Sequence, residues 1–198
     1  IRDVAPSRGL GDVYKRHIID RLLADDYSMQ DRMMIRGTVR TGDGKECRKR
    51  ALNDIVISRA GFSRLIGLDV YVNGSFLNAY EGDGIIISTP TGSTGYNLSA
   101  GGPIVDPMAR LMIITPVCPH SLTSKSIVLP SDAKVSIEIA KKRKTQDTEA
   151  IVSFDGGNDF ELAAGDVLDI CVSQRTTQLV KASDVNFYEI LRNKLGGK

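Results

Sequence analysis

From Tyr27 onward the chain breaks too often to build long helices. Short apolar runs such as MMIRGTVR, GIIIS, LMIITPV, SIVLP, KVSIEIA, AIVSFDG and DVLDICVS are separated by Gly, Asp, Asn and Pro. Runs of this length between turn residues are strands joined by tight connections. They predict a mainly β, sandwich-like domain over residues 27–182, with strands at 33–40, 46–58, 67–73, 75–80 and 84–89 before the later runs. Thr41-Gly-Asp-Gly44 and Asn73-Gly74 carry hairpin signals. Helical spacing is confined to three places. Residues 12–25 place Val13, Ile18, Ile19, Leu22 and Leu23 on one face with Asp12 as cap, giving a helical lead-in over 1–26. Residues 96–100 suit a short helix closed by Gly101-Gly102-Pro103. The terminal segment 183–198 holds a helix over 184–195, capped by Asp184, with Phe187, Ile190, Leu191 and Leu195 as its buried stripe.

Several functions are disfavoured at once. Formal charge is +2 from 26 basic and 24 acidic residues, so no broad field attracts nucleic acid. The run Lys141-Lys-Arg-Lys144 reads as a solvated hairpin tip. No apolar stretch reaches the roughly 18 residues of a membrane span, and the start lacks a leader's apolar core. Cys47, Cys118 and Cys171 are widely spaced with no CxxC, the pattern of reduced thiols in a cytoplasmic protein. No GxxxxGK[ST] occurs, and no GxGxxG follows a strand.

The chemistry concentrates in Pro90-Thr-Gly-Ser-Thr-Gly-Tyr96. Glycines let backbone approach a ligand, while Thr91, Ser93 and Thr94 supply donors and acceptors beside the N–H groups of a helix start. Two readings are balanced on the loop alone: a small-molecule pocket, or an N-cap with more hydroxyls than it needs.

The longer match GDGIIISTPTGSTGYNLSAGGPIV, followed by LMIITPVCPHSLTSKSIVLP, with ALNDIVI before it and VSFDG and FYEILRNKL after it, closely resembles the C-terminal part of bacterial NAD kinases. The resemblance runs from Tyr27 to the end of the sequence. It implies transfer of the ATP γ-phosphoryl group, or one from polyphosphate, to the 2′-hydroxyl of the adenosine ribose of NAD. It further implies a divalent ion, Mg2+, arriving with ATP, a cytoplasmic transferase, and a homodimer or homotetramer. The family's general base lies in a GGDG motif of an N-terminal α/β domain, and this sequence contains no GGDG. The expectation is a chain that supplies the NAD-binding half without the catalytic loop. Asp43 in TGDG is rejected as the base because it lies in a predicted hairpin.

By the same resemblance, substrate contacts fall on Asn53 and Asp54 of ALNDIVI, on Asp83 of GDG, near the nicotinamide amide or reaching a neighbouring subunit's ligand, with an Asp-Gly turn as its other reading, and on Thr91, Thr94, Gly95, Tyr96, Asn97 and Ser99 of the loop and helix. An amide suits a purine edge or ribose, and a carboxylate suits ribose hydroxyls; the competing reading of Asn-Asp is a strand-end turn. Tyr96 either stacks on the ligand or anchors the helix. Relatives carry Ala where Gly95 stands. Arg64 could meet a phosphate or be a solvated surface arginine. Asp155 and Gly156 match the family's Asp-Gly, whereas Gly157 replaces its glutamine. His120 beside Cys118 and Ser121 is read as a polar anchor at a strand end, since two such ligands make no zinc site; His17 is read as surface. Other readings are a related lipid kinase, which lacks the TPTGSTxYxLSAGGP segment, and a non-catalytic dinucleotide sensor.

Overall fold

The computed structural model describes residues 6–60, 65–121, 123–140 and 150–195. They divide into two bodies, one of residues from Arg32 to Thr177 and one of the flanking segments up to Asp31 and from Gln178.

The larger body is built of two antiparallel sheets. Its first strands are β2 (Ile35–Arg40), β3 (Glu46–Ala51), β4 (Asp54–Arg59), β5 (Ile66–Val72), β6 (Ser75–Gly82) and β7 (Gly84–Ser88). These are followed by β8 (Leu111–Val117), β9 (Ile127–Pro130), β10 (Val135–Ile139), β11 (Ala150–Phe154), β12 (Gly157–Leu162) and β13 (Val167–Val172). The first sheet has the order β3-β2-β13-β10-β5-β6 and the second β12-β11-β4-β7-β8-β9. Alternation puts Val39, Val70, Ile137 and Leu168 of the first sheet and Ile57, Ile85, Ile87 and Val152 of the second into one buried cluster. That is the expected sandwich, mainly β and closed face to face.

The stretch 46–58 is a correction, because it is two strands rather than one. β3 belongs to the first sheet and β4 to the second, and the chain changes sheet at Leu52-Asn53. A run that alternates cleanly on both sides of a break conceals the break from periodicity. The chain changes sheet again at Asp83, between β6 and β7. Strand β12 and the strands β1 (Ser28–Arg32) and β14 (Thr177–Lys181) were not foreseen, being polar at alternate positions or short of apolar residues.

The other body pairs β1 with β14 and carries α1 (Pro6–Leu23) and α3 (Phe187–Leu195). Helix α1 begins at a proline, well before Asp12, so Asp12 is not its cap. Asp184 is not a cap either: it pairs with Arg21 at 3.2 Å, while Asn186 Oδ1 accepts from Glu189 N and Glu189 Oε2 accepts from Asn186 N, a capping box. The α3 stripe is only half covered, with Ile190 43% exposed.

Between β7 and β8 lies an insert: a 3₁₀ turn over Thr91–Thr94 and a single helical turn, α2 (Tyr96–Ser99). It lies on the outer face of the second sheet. Thr115 of β8, which pairs with Ile86 on that face, donates to Asn97 of the insert at 2.7 Å.

Candidate functional site

The insert and the first sheet crossing together make an open cleft of about 520 Å³. Its floor is the outer face of β4 and β11, through Asp54, Val56, Ser58 and Ser153. Thr91, Thr94, Gly95 and Tyr96 form one wall, and Asn53 with Asp155-Gly156 forms the end.

The end wall is fixed by a two-residue hairpin turn. Asp155 has φ 51° and Gly156 φ 81° between β11 and β12, the backbone of a type I′ turn, which favours Asp-Gly. That turn carries the Asp155 carboxylate to the sheet crossing. Oδ2 accepts from Leu52 N at 2.8 Å, and Oδ1 from Asn53 N at 2.7 Å and Asp54 N at 3.2 Å. Here the chain leaves one sheet before joining the next, so its amides lack ladder partners, and one carboxylate collects them.

The loop hydroxyls divide by direction. Thr89 Oγ1 donates to Leu52 O at 2.5 Å and accepts from Gly92 N at 3.2 Å. Ser93 Oγ donates to Val105 O at 3.2 Å and accepts from Val105 N at 3.1 Å. Both are buried fasteners. Thr91 and Thr94 face the cleft instead; the cap residues Pro90 and Gly95 make no side-chain bond, and the hydroxyl that serves the 3₁₀ turn's amides is that of Thr89. Thr91 Oγ1 is buried without a hydrogen-bond partner. A surplus of capping hydroxyls therefore does not describe this loop. Gly92 holds it against the crossing: a Cβ there would stand 2.1 Å from Asn53 O.

Asp54 is 7% exposed. Burial first, and the neighbouring Asp155 charge second, push its carboxyl up to about 6. A carboxyl held near neutrality can accept from a ligand hydroxyl or donate to it. Tyr96 is 47% exposed beside the cleft, so it does not anchor α2 from within.

Other expected contacts are placed differently. Asn97 is fully buried behind the insert: Nδ2 donates to Ser93 O and Pro103 O, each at 3.0 Å, and Oδ1 accepts from Thr115. Its amide is consumed by the fold, which corrects its reading as a ligand contact. Ser99 is exposed and outside the cleft lining. Asp83 lies at the far end of β4 and β7, where it pairs with Arg59 at 3.0 Å; Asp54 pairs with Ser88 at the near end. Five residues of strand separate those ends, roughly 16 Å. Arg64 lies outside the described residues, as does the basic run 141–144. Helix α2 is a single turn, too short for the helix-start anion site expected of it. Asp43 sits in the hairpin between β2 and β3, bonded by Thr41 and Lys45. His120 is exposed with its backbone N–H on Glu81 O at 2.8 Å, and His17 is exposed.

A model of the family described as ATP-NAD kinase C-terminal domain matches residues 52–182, from the first sheet crossing to the end of β14. The chain belongs to that family. It is 47% identical over 185 residues to an NAD kinase of Lachnoclostridium phytofermentans, covering 92% of this chain and 65% of that protein. It is 51% identical over 178 residues to an NAD kinase of Agathobacter rectalis, covering 90% of this chain and 62% of the relative. The chain thus spans less than two thirds of either relative's length. Among solved structures, yeast NADH kinase complexed with NADH superposes with a TM-score of 0.85 at 26% identity, over 92% of this chain and 54% of that one. An Archaeoglobus fulgidus NAD kinase in complex with ATP shares the fold, with a TM-score of 0.67 at 24% identity.

Within this NAD kinase domain, Val56, Ser58 and Ser153 line the cleft although the motifs do not single them out. The available signal was alternation. Once Asp54 faces the cleft, every second residue of β4 faces it too.

Proposed function

We propose that this chain is the dinucleotide-binding half of an NAD kinase, which takes NAD in the cleft and presents its adenosine ribose for phosphorylation. The observation that carries the reading is the set Asn53, Asp54, Thr91, Thr94 and Tyr96 around one cleft in a chain of this family, with a buried Thr91 hydroxyl left without a partner. The complex of yeast NADH kinase with NADH supports it.

In this reading the 2′-oxygen of the ribose bonds to the γ-phosphorus of ATP, or to a terminal phosphorus of polyphosphate, as the bond to the leaving phosphate breaks. The hydroxyl proton passes to a base that the family keeps in GGDG, a motif absent from this sequence. The residues on hand bind and orient. Asp54 holds a ribose hydroxyl, Asn53 and Thr91 take polar edges, Tyr96 covers a ring, and the apolar Val56 floor limits water. In this reading Mg2+ enters with the phosphate donor, held by its phosphate oxygens. The reading places the protein in the cytoplasm as a homodimer or homotetramer; no described helix is long and apolar enough to cross a membrane.

Calorimetric titration of the purified chain with NAD tests the reading. Saturable binding is expected, weakened by Asp54→Ala and by Thr94→Val. Absence of binding by both NAD and NADP refutes it.

A further inference from the structure

A second groove, of about 480 Å³, lies on the outer face of the first sheet. Strand register organises it into two rows. Arg36 of β2 pairs with Arg50 of β3 on one side and with Cys171 of β13 on the other. Val135 pairs with Ile170, so Lys134, one step earlier, falls level with Cys171 and ends that row. The adjacent row is Arg48, Thr38, Asp169 and Ser136, by the same pairings. Rows on one face lie roughly 7 Å apart and neighbouring strands roughly 5 Å apart.

The charges in these rows are unbalanced at one end. Asp169 pairs with Arg40 and Glu46 with Arg48, each at 2.5 Å. Asp69 and Glu138 face each other further along, opposite Val167 and therefore toward Arg40. Among the described residues no ion pair reaches Arg36, Arg50 or Lys134. Two arginines directly opposite each other in a ladder repel. Arg36 nevertheless buries its Nε without a partner and donates Nη2 to Cys171 Sγ at 3.2 Å, a weak acceptor. A fold with nearly equal basic and acidic totals did not need to gather them here.

We propose that this groove is an anion site for linked phosphates, a di- or triphosphate chain lying over Cys171 between Lys134 and Arg36, with Arg50 beside Arg36 just outside the lining and the hydroxyls of Thr38 and Ser136 as neutral donors. Guanidinium groups offer paired donors to phosphate oxygens, and the unused Arg36 Nε gains an acceptor. The site lies on the other sheet from the NAD cleft and does not depend on the reading of that cleft.

The test uses inorganic tripolyphosphate and ATP as separate probes, with calorimetry and iodoacetamide labelling of Cys171 against Cys47, both half-buried free thiols. Bound tripolyphosphate is expected to slow labelling of Cys171 roughly fivefold or more by covering it, leaving Cys47 unchanged. Arg36→Gln is expected to weaken tripolyphosphate binding roughly tenfold while NAD affinity holds. Should Arg36→Gln misfold, the exposed Arg50→Gln gives the same comparison. Equal effects on both probes identify a free oligophosphate as sufficient; an Arg36-dependent response to ATP alone assigns the site to nucleotides. The proposal is overturned by Cys171 labelling that neither probe slows, or by affinities that neither substitution changes.

Discussion

Asp155→Ala separates the carboxylate's work from the turn's. The carboxylate accepts from Leu52 N at 2.8 Å, Asn53 N at 2.7 Å and Asp54 N at 3.2 Å. Bonds to a charged acceptor are worth about 1.5–3 kcal/mol when dry, but Asp155 is exposed and water replaces it in part, so about 1 kcal/mol for each short bond is the reasonable loss. Alanine also carries a penalty of about 1 kcal/mol at a left-handed φ of 51°. The sum, about 3 kcal/mol, corresponds in a chain of this size to a fall in Tm of roughly 6–12 °C. Asp155→Gly escapes the backbone penalty and should lose about 1 kcal/mol less. Asp155→Asn keeps the turn and one acceptor oxygen and should be the mildest of the three. Thermal and urea denaturation rank them, and NAD titration reads the second effect, because the same bonds place Asn53 and Asp54. If Asp155→Ala loses under 1 kcal/mol and matches Asp155→Gly, the carboxylate does not hold the crossing and the argument is wrong.

Asp54 should make stability depend on pH. Its folded pKa of about 6 lies above the ordinary 3.8, so the protonated form is favoured by folding, and that contribution is complete below about pH 4 and lost as pH rises to about 6. Asp54→Asn should therefore stabilise the ligand-free protein by about 3 kcal/mol at pH 8 and hardly at all at pH 4; a difference that does not change with pH refutes this. Carbon-detected NMR titration of Asp54 in the Asp155→Asn protein should show its midpoint falling, but not to 3.8, because burial outranks the Asp155 charge. Gly92→Ala would put a methyl 2.1 Å from Asn53 O, and should cost about 1–3 kcal/mol with a loss of NAD affinity visible by calorimetry. Asn97→Leu leaves Ser93 O and Pro103 O without their donor while Thr115 keeps Ser126 as a partner, and should cost about 2 kcal/mol by urea denaturation.

The sandwich was legible because strand runs and turn residues agree locally. Asn73-Gly74 illustrates this: φ values of 52° and 80° set the β5–β6 turn where the dipeptide stands. The change of sheet at Leu52-Asn53 was not legible, since its cause is a carboxylate about a hundred residues later in the chain. The same distance effect explains Asn97, an amide suited to ligands whose oxygen is taken by Thr115 of β8. Thr91 and Thr94 could be separated from Thr89 and Ser93 only once the insert was seen lying on the second sheet.

The two interpretations of Asn53-Asp54, strand-end turn and ligand site, prove to be one arrangement. A chain that changes sheet leaves amides without ladder partners and turns polar side chains outward at the break, so the turn creates the polar end of the cleft. Packing then makes that end rigid: Gly92 rests on the Asn53 backbone, Thr89 bonds Leu52, and Asp155 bonds all three residues of the crossing. The cost is concentrated at Asp54, whose carboxyl is buried beside a second carboxylate and resists ionisation. A ribose hydroxyl donating to Asp54 would favour the charged form and lower its pKa. NAD affinity should then rise with pH through about 6, as stability of the empty domain falls over the same interval, and it is this opposition that distinguishes a poised binding residue from a buried acid kept only for structure.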